Sequence, residues 1–587
     1  MTAALDVFDL LQPLREAGVL GASDVHIAAA LARLGGCDDE TVALAAALAA
    51  RAPRVGHTCV DLGVLGSVDP PIALPELDAW TAAISVSPLT RGPDAPLVLD
   101  GNRLYLHRYW AYEQAVAAHL ATRAVAPAVA VEPSPVVLDA LLTGEGAAAQ
   151  RDAVVMALHQ SLTVLVGGPG TGKTTTVAAL LACLTAHDPS TRIALAAPTG
   201  KAAARLGEAL RAAAGRLPAP LAERIATAEA STIHRLLGTR GGRFLHVRDR
   251  PLPHDVVIVD ETSMVSLPLM ARLLDAVRPQ ARLVLVGDPA QLTSVEAGTV
   301  LGDLSGPIAD PAVAEPRGGP LSGHTIVLRH SRRFPAGSPL DRFAGAVRRG
   351  DARAALAVLT EPGAEGNGAG ALEWHASPAD HPGAVERVRA LAVPVALEVA
   401  ELAAAGDAAG ALGRLGQLRV LCAHRDGPFG VGDWNHRVEA ALAASGSGVA
   451  GWYPGRPVLV TANDYVNLLY NGDLGVVVRR DDRLVVAFAD HDGVRSLAPS
   501  RLQSVETVHA MTIHKSQGSE FDHVVVVLPP AESPLASREL LYTAVTRARL
   551  GVTLVGDEAS VVAAIERRVA RAGGLGALLW PGGARGG

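Results

Sequence analysis

Eight residues, GGPGTGKT from Gly167 to Thr174, constrain this chain more than any other stretch, because the apolar run TVLVG precedes them and the helical run TTVAALLACL follows. Strand, glycine loop and helix in that order form a phosphate-binding loop, and the bare pattern without its flanks would be only a tight turn. Glycines let backbone N–H groups approach phosphate oxygens, and the helix start adds a favourable dipole. Gly167, Gly168, Pro169, Gly170, Thr171, Gly172 and Thr175 are therefore candidate nucleotide contacts around Lys173, expected on the terminal phosphates, and Thr174, expected on Mg²⁺.

Lysine usage sharpens this reading. Of 52 basic residues only Lys173, Lys201 and Lys515 are lysines, and all three fall in the short motifs GGPGTGKT, APTGKAAARL and TIHKSQGSEFD. An ammonium on a thin stem fits where a planar guanidinium does not, so a chain that otherwise uses arginine keeps lysine where shape demands it. Downstream, VVIVDE ends an apolar strand in Asp260 and Glu261. A carboxylate at a strand end beside a phosphate loop suits Mg²⁺ (Asp260), and its neighbour suits activation of a water (Glu261). The expected chemistry is ATP hydrolysis.

At 587 residues the chain exceeds a single core. Residues 1–115 read as an accessory domain with a hairpin in PLVLDGNRLYLHRYW, and the Pro- and Ala-rich residues 116–149 as a linker. From Gln150 onward, Val- and Leu-rich strands alternate with Ala-rich helices, the pattern of parallel βαβ units covered on both faces. TVLVGG, RIALAAP, DVVIVDE and ARLVLVGD are the strands of a first α/β domain (150–335), and LRVLCAH, HVVVVLP and GVTLVGD those of a second (336–456 and 506–572). Residues 457–505, with short strands and Asn-Gly and Asp-Asp turns, suggest an SH3-like all-β insertion, and 573–587 a flexible tail. Gly- and Pro-rich loops are expected at 302–325 and 362–371.

Composition excludes several classes. The net charge of −7 rules out a histone-like binder, so any nucleic-acid contact is local. Aromatic residues make up 3%, too few for a long base-stacking platform. The four cysteines are scattered and form no CxxC pair, which argues for a reducing cytosol and against zinc. The acidic N-terminus and the lack of a long apolar run predict neither export nor membrane insertion.

The remaining motifs resemble superfamily 1 helicases over nearly the whole chain. VLVGDPAQLTSVEAG resembles their motif III, LRHSRRF motif IV and ELLYTAVTRARLGVTLVG motif VI. The resemblance implies two RecA-like motor domains, Gln291 as a γ-phosphate sensor, and Arg333 and Arg547 as arginines reaching the phosphates from the second domain. Arg332 and Arg549 are the neighbours that could take those roles instead. Gln150 resembles the adenine-reading Q-motif glutamine, though Ala149 departs from the usual aromatic partner, and a solvated glutamine at a helix start is the alternative. APTGKAAARL, STIHRLLG and VHAMTIHKSQGSEFD resemble strand-channel motifs, implying nucleic-acid contacts from Pro198, Thr199, Lys201, Thr232, His234, Thr512 and His514. For both histidines a packing role is equally open.

SVEAG, the late β insertion and TIHKSQGSEFD look like the RecD-like branch, which translocates 5′ to 3′, and GHTCVDL and LYLHRYWAYEQAV resemble the short N-terminal domain by which RecD subunits dock on RecC. That resemblance implies RecB and RecC as partners, single-stranded and double-stranded-end DNA as substrate, and double-strand-break resection and recombinational repair as the process. No nuclease constellation is visible. A stand-alone helicase of the same branch, a nucleotide-binding regulatory subunit without turnover, and an RNA helicase are the competing readings.

Overall fold

The computed structural model describes residues 11–65, 74–306, 318–361, 368–490 and 493–581, apart from 242, 447 and 465. The expected loops at 302–325 and 362–371 and the tail beyond 581 lie partly outside the described residues.

Two parallel sheets dominate. The first has six strands in the order Thr325–Leu328, Leu162–Gly167, Arg282–Gly287, Val256–Val259, Ile193–Ala197, Ala230–Thr232. The four predicted strands form its middle; the two edge strands, TIVL and AST, are too short to stand out by pattern. Because side chains alternate across a strand, each central strand feeds two cores. Leu162, Val164, Val257, Val259, Leu283 and Leu285 pack on one face, and Leu165, Val256, Ile258, Val284 and Val286 on the other. The second sheet has five strands, Ala371–His375, Ala548–Val555, Phe521–Val527, Leu418–Cys422 and Ala510–Thr512, again with helices on both faces. This is the α/β architecture expected for two motor domains.

A five-stranded antiparallel sheet, in the order Gly493–Leu497, Arg483–Asp490, Leu474–Arg480, Pro457–Val460, Val505–Thr507, projects from the second domain. Among the described residues its first and last strands remain edges. The N-terminal region carries a three-stranded antiparallel sheet whose hairpin, Leu97–Asp100 and Arg103–Leu106, turns at Gly101 with φ +59°. HRYW, read as strand, instead opens the helix His107–Val125.

Two expected flexible stretches are built into the first motor domain. Val116 and Leu120 join one of its cores, and Val131, Val137, Leu138, Leu141 and Leu142 join the other. The Ala- and Pro-rich run conceals apolar residues at helical spacing in Pro135–Leu141, so it covers the sheet. In the presumed tail, helix Leu575–Leu579 buries Leu575, Leu579 and Trp580 in the first domain's core. Three large apolar groups in a Gly-rich context are enough to dock it. All four cysteines are buried and free. Among the described residues no helix is long and apolar enough to cross a membrane.

Candidate functional site

The buried strand Leu162–Gly167 delivers the glycine loop to the first sheet's edge of the interdomain cleft, and helix Lys173–His187 leaves from it. Two glycines are required by geometry. Gly170 has φ +75°, and a Cβ there would come 2.6 Å from the Arg333 nitrogen; Gly172 has φ +83°, and its Cβ would meet Gln150 Nε2 at 1.9 Å. Lys173 Nζ donates to the carbonyls of Gly167 (2.7 Å) and Gly168 (3.0 Å), which holds the ammonium over the loop. Thr174 and Thr175 are half-buried in the first helical turn. Gln150 is buried and donates to the Thr171 carbonyl at 3.1 Å. This excludes the solvated alternative: the side chain braces the loop from behind.

Asp260 follows the strand Val256–Val259, its N–H bonded to Ala196 at 2.9 Å. Glu261 sits at φ +51°, a left-handed conformation that non-glycine residues adopt at a cost and that clusters at functional sites. Its N–H donates to Asp260 Oδ1 at 2.8 Å. Burial, then the charge of Glu261, pushes the Asp260 carboxyl up, against the pull of Lys173. Asp288 is a third carboxylate, fully buried, that sequence reasoning missed; burial pushes it up, while Lys173 and Gln291 oppose. Its signal was available, since RLVLVGD ends an apolar strand in an acid just as VVIVDE does.

Gln291 joins the two domains. Its Nε2 donates to Asp288 Oδ2 at 3.0 Å, and its Oε1 accepts from Arg547 Nη2 at 2.8 Å. Leu292 N–H donates to Thr543 Oγ1 (2.9 Å), and Gln517 Nε2 donates to the Leu292 carbonyl (3.0 Å). Arg547 is buried, which lowers its pKa to about 10 and leaves it cationic at neutral pH. Arg333 backs onto Gly170, but its fork is engaged by the second domain: Thr546 and Ala548 carbonyls at 2.9 Å each and Glu520 at 2.8 Å. Glu520 also pairs with Arg205 of the first domain at 2.8 Å. Burial alone would raise Glu520, but the two arginines outweigh it and bring it down to about 2. Arg332 turns to the Thr143 and Glu145 carbonyls and Arg549 to Asp522, so neither substitutes for its neighbour. Arg205, Gln517, Glu520 and Thr543 lie inside the quoted motifs but were not singled out, because each works through a long-range partner.

The expected strand-channel residues are placed differently. Pro198 and Thr199 end the strand Ile193–Ala197, and Thr199 caps helix Gly200–Ala214 by accepting from Ala202 N–H at 3.2 Å. Thr232 caps Ile233–Leu236 through Arg235 N–H at 3.1 Å. Thr512 is buried and accepts from Lys515 N–H at 3.3 Å. His514 is half-buried, its pKa lowered by burial and then by Arg571 and Arg425. Lys201 points into the interdomain junction, donating to the Gly472 carbonyl (2.8 Å) and Ser519 Oγ (2.6 Å). Burial lowers its pKa to about 8 against the pull of Asp473. Of these seven residues only His234 is exposed, its ring 6.1 Å from that of Phe244. Thr512 is buried and the other five are half-buried.

Family models match in three places: an AAA domain at residues 150–297, a UvrD-like helicase C-terminal domain at 507–555, and the N-terminal domain of the RecBCD enzyme subunit RecD at 16–105. RecBCD enzyme subunit RecD of Mycolicibacterium smegmatis is 50% identical over 97% of this chain and 99% of its own length. The chain belongs to the RecD family. The Haemophilus influenzae RecD subunit is 35% identical over 73% of this chain and 72% of its own. The ATP-dependent RecD2 DNA helicase of Deinococcus radiodurans is 36% identical over 70% of this chain but only 49% of its own. Among solved structures, the crystal structure of Bacteroides Pif1 bound to ssDNA aligns over 69% of this chain and 91% of its own at 18% identity and a TM-score of 0.38, too loose a likeness to carry an argument.

Proposed function

We propose that this RecD-family chain is an ATP-dependent, 5′-to-3′ DNA helicase that works as a subunit with RecB and RecC, in the cytosol, on double-stranded DNA ends during break resection and recombinational repair. The observation that carries the motor reading is the Gln291–Arg547 hydrogen bond, which ties the end of a phosphate-site strand to an arginine of the other domain. The subunit reading rests on near-complete coverage of the mycobacterial RecD subunits, against about half of the RecD2 helicase.

In this mechanism ATP lies on the Gly167–Thr175 loop with its terminal phosphates against Lys173. Glu261 orients the attacking water, and its left-handed backbone fixes where that carboxylate points. Gln291 senses the γ-phosphate, and Arg547 stabilises the charge that develops there. Arg333 holds Glu520 and the backbone of motif VI in place behind Arg547. Thr174 and Asp260 fit Mg²⁺, since a buried carboxylate raised by burial and by an adjacent acid is relieved by a divalent cation. When bound, the ion would supply positive charge to offset that of the ATP phosphates. Because Arg547 comes from the second domain, turnover requires the cleft to be closed, and alternating closure moves one domain along the strand.

The test is ATP hydrolysis by the purified chain with and without single-stranded DNA, beside Lys173→Gln. DNA-stimulated turnover that disappears in the variant is expected. A co-expressed complex with RecB and RecC, RecB's own ATPase silenced, that still hydrolyses nothing would overturn the reading.

A further inference from the structure

The chain crosses between the motor domains twice. The first crossing is at motif IV: Arg332 N–H bonds to Gly170 of the first domain at 2.9 Å, while the next side chain, Arg333, and then Phe334 belong to the second. The second crossing follows helix Glu558–Glu566. Arg567 is fixed to the second domain by the Ala531 (2.9 Å) and Ala536 (3.1 Å) carbonyls, and Val569 N–H donates to Glu539 at 3.1 Å.

Two residues further on, Arg571 is fixed to the first domain. Its guanidinium donates to the carbonyls of Ser294 (2.7 Å), Glu296 (2.9 Å) and Gly298 (3.1 Å), three acceptors within the SVEAG segment that follows Gln291. The N-terminal domain closes over the same group. Gly56 has φ +90°, and a Cβ there would lie 2.8 Å from Arg571 Cζ. The Gly56 carbonyl accepts from Gly298 N–H at 3.0 Å. Ala572 N–H donates to His57 Nδ1 (2.8 Å), and its carbonyl accepts from Thr58 N–H (2.9 Å). Gly574 N–H donates to the buried Glu113 carboxylate at 2.9 Å, and Trp580 Nε1 donates to the Asp303 carbonyl at 2.9 Å. Gly56 and SVEAG, unexplained by nucleotide chemistry, thus close around Arg571, while His57 and Thr58 hold the next residue, Ala572.

The free strap from Val569 to Arg571 spans at most about 7 Å when extended. A tether that short transmits any movement of the second domain at this edge to whatever its far end holds. That end is three residues from Gln291, the side chain that meets Arg547.

We propose that Val569–Arg571 is a second interdomain strap and that Arg571 is a positioning residue for ATP hydrolysis, placing motif III so that swing of the second motor domain sets Gln291. The proposal rests on the motor reading above. His57 and Thr58 hold Ala572, the residue next to the strap, so a partner held by the N-terminal domain acts on the adjoining segment.

The test uses the full-length chain in its complex, with RecB's own ATPase silenced, and three variants: Arg571→Ala, Arg571→Lys, and a Gly-Ser-Gly insertion between Ala570 and Arg571. Arg571→Ala is expected to lower DNA-stimulated kcat about tenfold while KM for ATP stays within about twofold, and Arg571→Lys, which still offers three donors, to restore most of it. The insertion keeps every anchor and only slackens the strap. It is expected to lower the stimulation of kcat by DNA about tenfold with turnover lacking DNA and the melting temperature unchanged. Should Arg571→Ala fail to fold, the insertion decides alone. Wild-type stimulation in the insertion variant, or parallel loss of stability, KM and kcat in Arg571→Ala, overturns the proposal. Absence of DNA-stimulated turnover in the wild-type complex instead defeats the motor reading itself.

Discussion

At the phosphate end of the cleft, side chains from two sheets meet in pairs: the buried Gln291 with Arg547, and the half-buried Arg333 and Arg205 with Glu520. At the other end, the residues expected to hold a nucleic-acid strand include two helix caps, one buried hydroxyl and a lysine turned into the domain junction. The difference is chemical. Polarising a phosphate requires particular charges at fixed points in a dry site, whereas gripping a backbone regardless of sequence uses N–H groups and hydroxyls that any chain has in abundance. The first demand leaves residue types that identify it, and the second leaves little.

The largest expected effect lies at the phosphate end. Glu261→Gln should reduce hydrolysis by about a thousandfold with nucleotide binding retained, because it removes the water-orienting carboxylate but keeps its shape. Equilibrium nucleotide binding beside single-turnover hydrolysis checks this. Binding lost along with turnover would mean that Glu261 shapes the loop.

Next, Glu520→Gln leaves Arg333 and Arg205 short of their shared partner and should lower DNA-stimulated kcat about tenfold. Unaltered kcat would confine that pair to packing. The comparison itself predicts that this loss exceeds any from substituting Thr199 or Thr232.

The smallest effect separates the two ends most cleanly. Lys201→Met should leave the salt slope of single-strand affinity unchanged, since the ammonium is engaged by Gly472 and Ser519; a direct phosphate contact would remove about one unit from that slope. Its pKa, lowered by burial to about 8, carries a sign. The closed junction binds fewer protons than the open one between about pH 8 and the ordinary lysine value, so closure becomes easier as pH rises through that window. DNA-stimulated turnover should rise modestly from pH 7.5 to 9.5 in the wild type and flatten in Lys201→Met. Identical profiles would return Lys201 to the solvent side.

Much of this was legible in the chain. Seven central strands, from TVLVG to GVTLVG, were readable because buried parallel strands are continuous apolar runs, and the four of the first domain each end where a motif begins. The edge strands Ala230–Thr232 and Ala510–Thr512 were not, since three residues carry no period. Lys173, Asp260 and Glu261 could be found because a phosphate loop demands their types, and Gln291 because VLVGDPAQLTSVEAG resembles motif III. Glu520 and Arg571 could not, because what defines them is a partner hundreds of residues away. The tail misled for a related reason: its glycines suggested flexibility, while the three apolar side chains that dock it count only once the sheet they cover exists.

The central claim is that hydrolysis depends on Gln291 and Arg547 acting as one unit across the cleft. A double-mutant cycle on DNA-stimulated kcat, with Gln291→Ala, Arg547→Ala and the pair, tests it most directly. The account predicts that each single substitution costs about a hundredfold or more and that the double variant is scarcely slower than the worse single one. Losses that multiply would contradict it, showing two residues that reach the phosphates independently.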